Sequence, residues 1–325
     1  EQNKGIGSEK FRGIWQGLAS GDFNEDGRPD LVVCNRGENT QWAQWRTDRF
    51  RLYYSKTIRK HETITFRSYF NRDQWLPISP LEDVSTWLTD ANMRFASHAD
   101  YASRSQEEIL GDFLHEFEYL EIDTLETVIL LNLPNGIEKV ALNPVAQWAP
   151  CFGPTVADFN NDGHEDVFLS QNLDTGNHEW GRMDAGHGLL LLGDGEGSLN
   201  AIPSTASGIR LKNEQRGTAT ADFNQDGKMD LAVLERGEGA HLFVNQTEHT
   251  GVTVSLEGPS ANPHCIGARL QKINLQTGNV YGPLWKRFKK INNLEAMKLL
   301  KNRLPVKDLF KNKNVLDAGC GGGRY

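Results

Sequence analysis

Three segments of the chain repeat one pattern of polar and apolar positions. In each, a stretch of small or aromatic residues leads into nine mostly polar residues, which are followed by a short apolar run. The apolar runs are residues 31–33, 167–169 and 231–233, and the stretches before the polar residues are 18–21, 154–157 and 218–221. Short apolar runs bounded by turn residues are typical of strands, whereas a helix needs a longer periodic run. The pattern therefore predicts three strand–loop–strand units.

The polar residues have the same spacing of oxygen-bearing side chains in all three units. They follow the pattern Asp-x-Asn-x-Asp-Gly-x-x-Asp at residues 22–30, 158–166 and 222–230. Ca²⁺ binds about six to eight oxygen atoms, and a short acidic loop with oxygens at alternate positions supplies them. We predict one calcium site per loop, with ligands from side chains one, three, five and nine and from the carbonyl of residue seven. The predicted ligands are Asp22, Asn24, Asp26, Arg28 and Asp30; Asp158, Asn160, Asp162, His164 and Asp166; and Asp222, Asn224, Asp226, Lys228 and Asp230.

Two other interpretations of the loops start from the same residues. Asp, Asn and Gly also favour plain turns, so a single copy would predict only a turn. Three copies with the same ligand positions favour a metal. An EF-hand begins similarly but requires an acidic residue at its twelfth position. The twelfth positions here are Val33, Leu169 and Val233, which excludes the EF-hand.

The spacing of the loops indicates the size of the repeat. The second and third loops begin 64 residues apart, at 158 and 222, and the first and second begin 136 apart, at 22 and 158. Common propeller repeats have about 40–50 residues, but a four-stranded blade with long connections accommodates the longer interval. Because the first interval is about twice the second, we predict a further blade, without a metal loop, between the first two loops.

A shorter repeat follows two of the predicted strands. Residues 36–38 and 236–238 both have the sequence Arg-Gly-Glu. The tripeptide can be interpreted as an adhesion motif, but a polar hairpin turn after a strand is the favoured interpretation.

Together with three further segments, the loops resemble a known family. Residues 189–197 are a leucine-rich run ending in Gly-Asp-Gly-Glu-Gly, residues 207–217 precede the third loop, and residues 256–270 resemble the opening of an ASPIC/UnbV module. The chain is similar in these segments to FG-GAP/VCBS-repeat proteins, the integrin-alpha-like β-propeller class, of the cartilage-acidic-protein-like group. The resemblance implies a mainly β fold, namely a partial β-propeller of FG-GAP/VCBS blades with calcium loops. It also implies a non-catalytic Ca²⁺-binding scaffold for adhesion or for a protein or glycan ligand, outside the cell or in the periplasm.

The C-terminal residues have a different character. After residue 270 the chain is rich in Lys, Asn and Leu, with a helical pattern over residues 284–304 and an apolar strand that leads into a glycine-rich loop. The strand and loop resemble motif I of class I S-adenosylmethionine-dependent methyltransferases, which implies a short α/β fragment. The implied cofactor contacts are Asp317, Gly319, Gly321 and Gly323. The alternative function is therefore a methyltransferase cut off after this motif. Such a site needs an acidic residue about 20 positions further on, beyond Tyr325, so we expect no activity from the fragment.

The predicted domains are residues 1–248 as propeller blades, 249–270 as a truncated ASPIC/UnbV-like segment and 271–325 as a truncated methyltransferase-like domain. Two unrelated modules interrupted at one junction, between residues 270 and 281, suggest a chimeric or frame-disrupted chain. The chain starts at Glu1 without an initiator Met. Either a targeting segment has been removed or, as we favour, the sequence starts inside a longer gene.

Charge and cysteine content narrow the range of partners. Residues 271–325 hold 12 Lys/Arg against 3 Asp/Glu, which leaves 23 against 40 in the preceding 270 residues. Nucleic acid needs a basic surface, so the acidic body predicts no nucleic-acid partner. No apolar run approaches the ~18–20 residues of a membrane span. The four cysteines are widely separated, which predicts isolated buried thiols rather than a zinc site or a disulfide framework.

Overall fold

The computed structural model of the chain describes residues 11–45, 47, 49–59, 61–174, 181–249 and 258–262, together with the backbone of residues 269–274 and 314–319. It divides into two compact units, residues 1–252 and 253–325. The strands are β1 (Gly17–Gly21), β2 (Asp30–Cys34), β3 (Phe50–Ser55), β4 (Ile64–Asn71), β5 (Gln74–Pro77), β6 (Glu118–Ile122), β7 (Val128–Leu133), β8 (Gly136–Ala141), β9 (Cys151–Ala157), β10 (Asp166–Gln171), β11 (Leu173–Asp174), β12 (Arg182–Met183), β13 (Leu189–Gly193), β14 (Leu199–Ile202), β15 (Gln215–Ala221), β16 (Asp230–Glu235), β17 (Gly239–Phe243), β18 (Arg269–Asn274) and β19 (Asn314–Gly319). The α-helices are α1 (Leu81–Ser85), α2 (Ala91–Arg94), α3 (His98–Ala102), α4 (Gln106–Leu110) and α5 (Ser204–Ser207), and 3₁₀ turns cover Gln41–Trp45, Gly111–Glu116 and Pro144–Gln147.

The predicted strand–loop–strand units are confirmed as parts of three antiparallel sheets. The strand orders are β1-β2-β7-β8, β14-β13-β10-β9 and β15-β16-β17, and we call these sheets the first, second and third blade. In each blade the residue before the loop pairs with the ninth loop residue: Gly21 with Asp30, Ala157 with Asp166, and Ala221 with Asp230. The fold of the described residues is mainly β, with no closed sheet among them, consistent with the predicted partial propeller.

Apolar side chains fill the space between neighbouring blades. Val32 and Ile129 of the first blade belong to one buried cluster with Val167 and Leu191 of the second. Phe168 of the second blade packs with Leu231 and Val233 of the third, in another cluster. Burying one such side chain contributes about 1.5–3 kcal/mol, so packing between blades is a main source of stability.

The innermost strands of neighbouring blades approach closely at two glycines. A Cβ atom on Gly153 of β9 would lie 2.6 Å from the backbone oxygen of Arg216 in β15, and one on Gly17 of β1 would overlap the backbone oxygen of Phe152. Glycine is needed where backbones come this close. The strands β1, β9 and β15 that lead into the loops therefore lie side by side.

An α+β insertion interrupts the first blade. After β2 the chain forms the antiparallel sheet β5-β4-β3-β6 and helices α1–α4, and it returns to the first blade at β7. Phe66 of this sheet packs against Val84 and Ile109 of the helices. The predicted extra blade between the first two loops is therefore wrong. Loop spacing measures chain length alone, and so it cannot distinguish a blade from an insertion.

The two Arg-Gly-Glu segments differ in structure. Residues 236–238 form the turn between β16 and β17, as predicted. Residues 36–38 follow β2 but lead into the insertion, and the Gly37 amide donates to the Leu125 oxygen at 2.7 Å. The hairpin prediction is thus wrong for the first copy, because its strand is followed in the chain by an insertion rather than by its neighbour in the sheet.

A disulfide joins Cys34 at the end of β2 to Cys151 at the start of β9, with 4.9 Å between their Cα atoms. Both residues are fully buried in the cluster between the first and second blades. The prediction of isolated thiols is therefore wrong for this pair. The two cysteines lie 117 residues apart, and only the packing of two blades brings them together. The side chains of Cys265 and Cys320 lie outside the described residues.

In the second unit, β18 and β19 pair antiparallel, with Gln271 opposite Asp317 and Arg269 opposite Gly319. The predicted strand before the glycine loop is present, but its partner here is antiparallel, whereas a nucleotide-binding α/β sheet is mostly parallel. Gly321, Gly323 and the predicted helix over 284–304 lie outside the described residues. The methyltransferase-like and ASPIC/UnbV-like assignments stay predictions.

Candidate metal centre

The three loops share one backbone shape. Their sixth residues, Gly27, Gly163 and Gly227, have φ angles of +83°, +97° and +83°. The fourth residues, Glu25, Asn161 and Gln225, are also left-handed, with φ between +54° and +60°. Glycine adopts this conformation without the steric cost that a Cβ brings, which explains the glycine at position six of every copy.

The ninth side chain of each loop anchors the hairpin. Asp30, Asp166 and Asp230 are 0% exposed. One oxygen of each accepts the N–H of the second loop residue: Phe23 at 3.1 Å, Phe159 at 2.8 Å and Phe223 at 3.0 Å. The other accepts an N–H from the third strand of the blade or just beyond it: Asn132 at 2.7 Å, Gly193 at 2.9 Å and Asn245 at 2.8 Å. Each carboxylate oxygen has a second lone pair, so an oxygen that accepts one of these hydrogen bonds can also bind a metal ion.

The side chains at positions one, three and five fold back onto the loop backbone. In the second loop, Asp158 accepts the Gly163 N–H at 2.9 Å, Asn160 accepts the Asp162 N–H at 2.9 Å, and Asp162 accepts the His164 N–H at 2.8 Å. The first and third loops make the same three bonds. The predicted ligands of each loop therefore surround the same short stretch of backbone.

Among the residues that the structure describes, one carboxylate oxygen of the first loop has no hydrogen-bond donor. Oδ1 of Asp158 and of Asp222 accepts the N–H of the fifth loop residue, at 3.2 and 2.9 Å. Oδ1 of Asp22 is buried without a hydrogen-bond donor. A buried acceptor without a donor is costly, and a cation would satisfy it. The described residues contain no group of three Asp, Glu, His or Cys side chains already at metal-binding distances, so the ligand sets stay predictions.

Three acids in the loops have raised pKa values. Burial, followed by the charges of Asp158 and Asp162, raises the pKa of Asp166 to about 6, although two backbone N–H bonds oppose the rise. Burial also raises the pKa of Asp30 and of Glu165, with further contributions from loop carboxylates. A bound divalent cation would reverse this effect, because it favours the ionised form.

We expect the calcium-free protein to be more stable at pH 5 than at pH 7. Because the pKa of Asp166 is higher in the folded state than in the unfolded chain, the folded protein holds a proton that the unfolded chain releases. This stabilisation is complete below the unfolded pKa and is lost as the pH rises through about 6. Asp30 and Glu165 act in the same direction.

The measurement is urea unfolding in chelator-treated buffer at the two pH values. For a pKa of about 6, the unfolding free energy should be higher at pH 5 by about 1 kcal/mol. Saturating Ca²⁺ should abolish or invert the difference. A calcium-free protein that is more stable at pH 7 would contradict the raised pKa of Asp166.

Contacts between the loops were not predicted. Glu165, the eighth residue of the second loop, accepts the backbone N–H of Asp22 in the first loop. His164 Nδ1 lies 2.6 Å from Glu25 Oε1 in the same pair of loops. Among the loops, only the second has an acid at position eight, where the others have Pro29 and Met229. The acid at position eight was the available sequence signal for this contact. Its partner, Asp22, lies 143 residues away in the chain.

The second loop also contacts the segment that follows β17. The Asn245 side-chain amide donates to the Phe159 oxygen at 2.6 Å, and the Asn161 amide donates to the His249 oxygen at 3.0 Å. The loops are therefore linked along one end of the neighbouring blades.

Residues 158–233 match the family model of an FG-GAP-like repeat. The match starts at the first residue of the second loop and ends within β16. It includes two of the three loops and most of the second blade, in agreement with the resemblance seen in the sequence. A comparison with curated proteins finds no match. In the described part of the chain, no helix has the length and apolar character needed to cross a membrane.

Proposed function

We propose that the unit formed by residues 1–252 is a non-catalytic, calcium-stabilised β-propeller-type scaffold that binds a protein or glycan ligand outside the cytoplasm. The observation that carries the proposal is the shared loop geometry, with a fully buried ninth carboxylate in all three copies. The unpartnered Asp22 oxygen and the raised pKa of Asp166 both fit a cation. The FG-GAP-like repeat over residues 158–233 supports a binding scaffold.

The proposed role of the ion is structural. Calcium would be held by side chains one, three, five and nine and by the carbonyl of residue seven, and it would neutralise the carboxylates that crowd each hairpin. The ninth carboxylate already accepts a hydrogen bond from the third strand or from a residue just beyond it. Metal binding would therefore stabilise the whole blade, and the contacts between loops would transmit that order to the neighbouring blade.

The disulfide supports a location outside the cytoplasm. Disulfides persist in oxidising compartments and are rare where thiols are kept reduced. Calcium modules outside the cell commonly have Kd values of about 10⁻⁴–10⁻³ M, which match a compartment rich in calcium. The Cys34–Cys151 bond and a weak calcium site would both function there.

The predicted ligand side chains of every loop are one Asn and three Asp and carry the same charge, so the loops should differ in affinity through the neighbouring charges. The second loop carries four acids and no Lys or Arg. In the first loop Arg28 pairs with Asp26, and the third loop has three acids and Lys228. We therefore expect the second loop to bind calcium most tightly and the third most weakly.

The proposal is tested by calorimetric titration of the full chain with Ca²⁺. We expect three binding events, of which Asp158→Asn removes the tightest and Asp222→Asn the weakest. Asp73→Asn is the matched control, since this exposed acid outside the loops removes the same charge. Absence of saturable binding, or an equal loss in the Asp73→Asn variant, would refute the proposal.

A further inference from the structure

A second cluster of charged side chains lies at the other end of the third blade. Glu235 pairs with both Gln215 and Gly239, whereas Asp230 pairs with Ala221 beside the loop. The five residue steps from Asp230 to Glu235 span roughly 16 Å of strand. The cluster is therefore separate from the predicted calcium ligands.

The cluster surrounds an open cavity of about 370 Å³, which is lined by Glu214, Arg216, Leu234, Glu235, Arg236 and Gly239. The two carboxylates are nearly covered, with Glu214 7% and Glu235 6% exposed. The side chains of Arg216 and Arg236 are 41% and 67% exposed. Solvent in the cavity therefore meets two guanidinium groups, and the acids lie beneath them.

Both acids are already engaged. One oxygen of Glu214 pairs with Arg216, and the other lies 2.7 Å from Arg236. Glu235 accepts the N–H groups of Lys212 and Asn213 at 2.8 and 2.6 Å. Its second oxygen lies 2.8 Å from His241 Nε2, without the alignment of a hydrogen bond. An incoming ligand therefore meets the guanidinium groups rather than the acids.

The guanidinium groups are held in place but keep spare donors. Arg216 lies 3.4 Å above the ring centroid of Phe152, and its Nη1 donates to the Asn172 oxygen. Nη1 of Arg236 donates to the Asp174 oxygen at 3.3 Å. Nε of both residues and Nη2 of Arg236 make no hydrogen bond within the described part of the chain. Burial, and then the charge of Arg236, lowers the pKa of Arg216, so a bound anion would relieve repulsion between the two cations.

We propose that this cavity binds the carboxylate side chain of an acidic peptide, with Arg236 and Arg216 as donors. The inference rests on the proposed function, since it names a ligand class for the scaffold. A planar guanidinium donates paired hydrogen bonds to a carboxylate. Leu234 in the cavity wall is 55% exposed and offers an apolar contact to a neighbouring aliphatic side chain, which favours a peptide over an acidic sugar.

The test is calorimetry of the full chain in millimolar Ca²⁺ with the blocked peptide acetyl-Gly-Leu-Glu-Gly-amide. The same peptide with Gln in place of Glu should bind roughly tenfold more weakly or worse, because charge-assisted hydrogen bonds are lost. Arg236→Gln should weaken binding of the Glu peptide by a similar factor, and Arg236→Lys by less. Arg94→Gln is the matched control: Arg94 is 37% exposed and pairs with Asp90 at 2.7 Å, in the insertion.

Equal binding of the two peptides would overturn the inference, as would an equal loss in the Arg94→Gln variant. Tighter binding of D-glucuronate than of the Glu peptide would overturn the choice of a peptide. The melting temperature of the same samples with and without Ca²⁺ separates the two proposals. A calcium shift without peptide binding removes only this inference, and Arg236-dependent peptide binding without a calcium shift removes only the calcium scaffold.

Discussion

Calcium at 10 mM should raise the unfolding temperature of the full chain by on the order of 10–30 °C relative to the chelated protein. With Kd values of about 10⁻⁴–10⁻³ M, this concentration is about 10–100 times Kd, which adds about 1.4–2.7 kcal/mol per independent site. Three loops together would add about 4–8 kcal/mol. In a unit of this size, 1 kcal/mol shifts the midpoint by about 2–4 °C.

Substitution of the first residue in each loop tests whether the thermal shift comes from the loops. A chain with Asp22→Asn, Asp158→Asn and Asp222→Asn should melt at the same temperature with and without calcium. The Asp73→Asn variant should keep the full shift, because Asp73 lies outside the loops. A cooperative transition in the parent chain that does not respond to calcium would mean that the loops are Asx-rich turns and no more.

Removal of the Cys34–Cys151 disulfide should lower the free energy of unfolding by about 2–5 kcal/mol. The bond joins residues that lie 117 positions apart, and the segment between them contains the insertion and the second half of the first blade. In the chain-entropy account, a loop of about 100 residues contributes about 4.7 kcal/mol by restricting the unfolded state. The double variant Cys34→Ala with Cys151→Ala should therefore unfold at markedly lower urea concentration.

Reduction of the parent chain measures the stability that the disulfide bond contributes without replacing the two cysteine side chains. Both sulfur-bearing residues are fully buried, so Ala also removes some packing. The parent chain unfolded and refolded in reductant should lose most of the same stability without any substitution. The double variant should be insensitive to reductant. Equal stability of oxidised and reduced parent chain would show that the disulfide does not contribute to the fold.

The three acidic loops show which features local sequence can predict. The predicted ligand side chains of each loop lie within nine residues of one another, and the glycine at position six is needed for the positive φ of that position. For the same reason the flanking strands were predicted correctly, since 31–33, 167–169 and 231–233 all lie in strands. The anchoring role of Asp30 was missed, because its second partner, Asn132, is 102 residues away.

The interval between the first two loops shows the opposite case. From the length of this interval we predicted a further blade, which is wrong. An insertion and a blade with the same number of residues give the same interval, so the length does not distinguish them. The apolar residues of the insertion, such as Phe66, Val84 and Ile109, pack with one another rather than with the blades. Which apolar residues share a core depends on strand order, and strand order is not a local property.

By itself, the sequence determined the three acidic loops and the strands on either side of them, because each depends on residues within about ten positions of one another, and its resemblance to FG-GAP/VCBS-repeat proteins implied the mainly β fold. The tertiary structure alone decided the topology of the first blade, the pairing of Cys34 with Cys151, the contacts of Glu165 and His164 with the first loop, and the arginine-lined cavity of the third blade. These features join residues that are brought together by packing of separate strands, and their energies exist only once the blades have assembled.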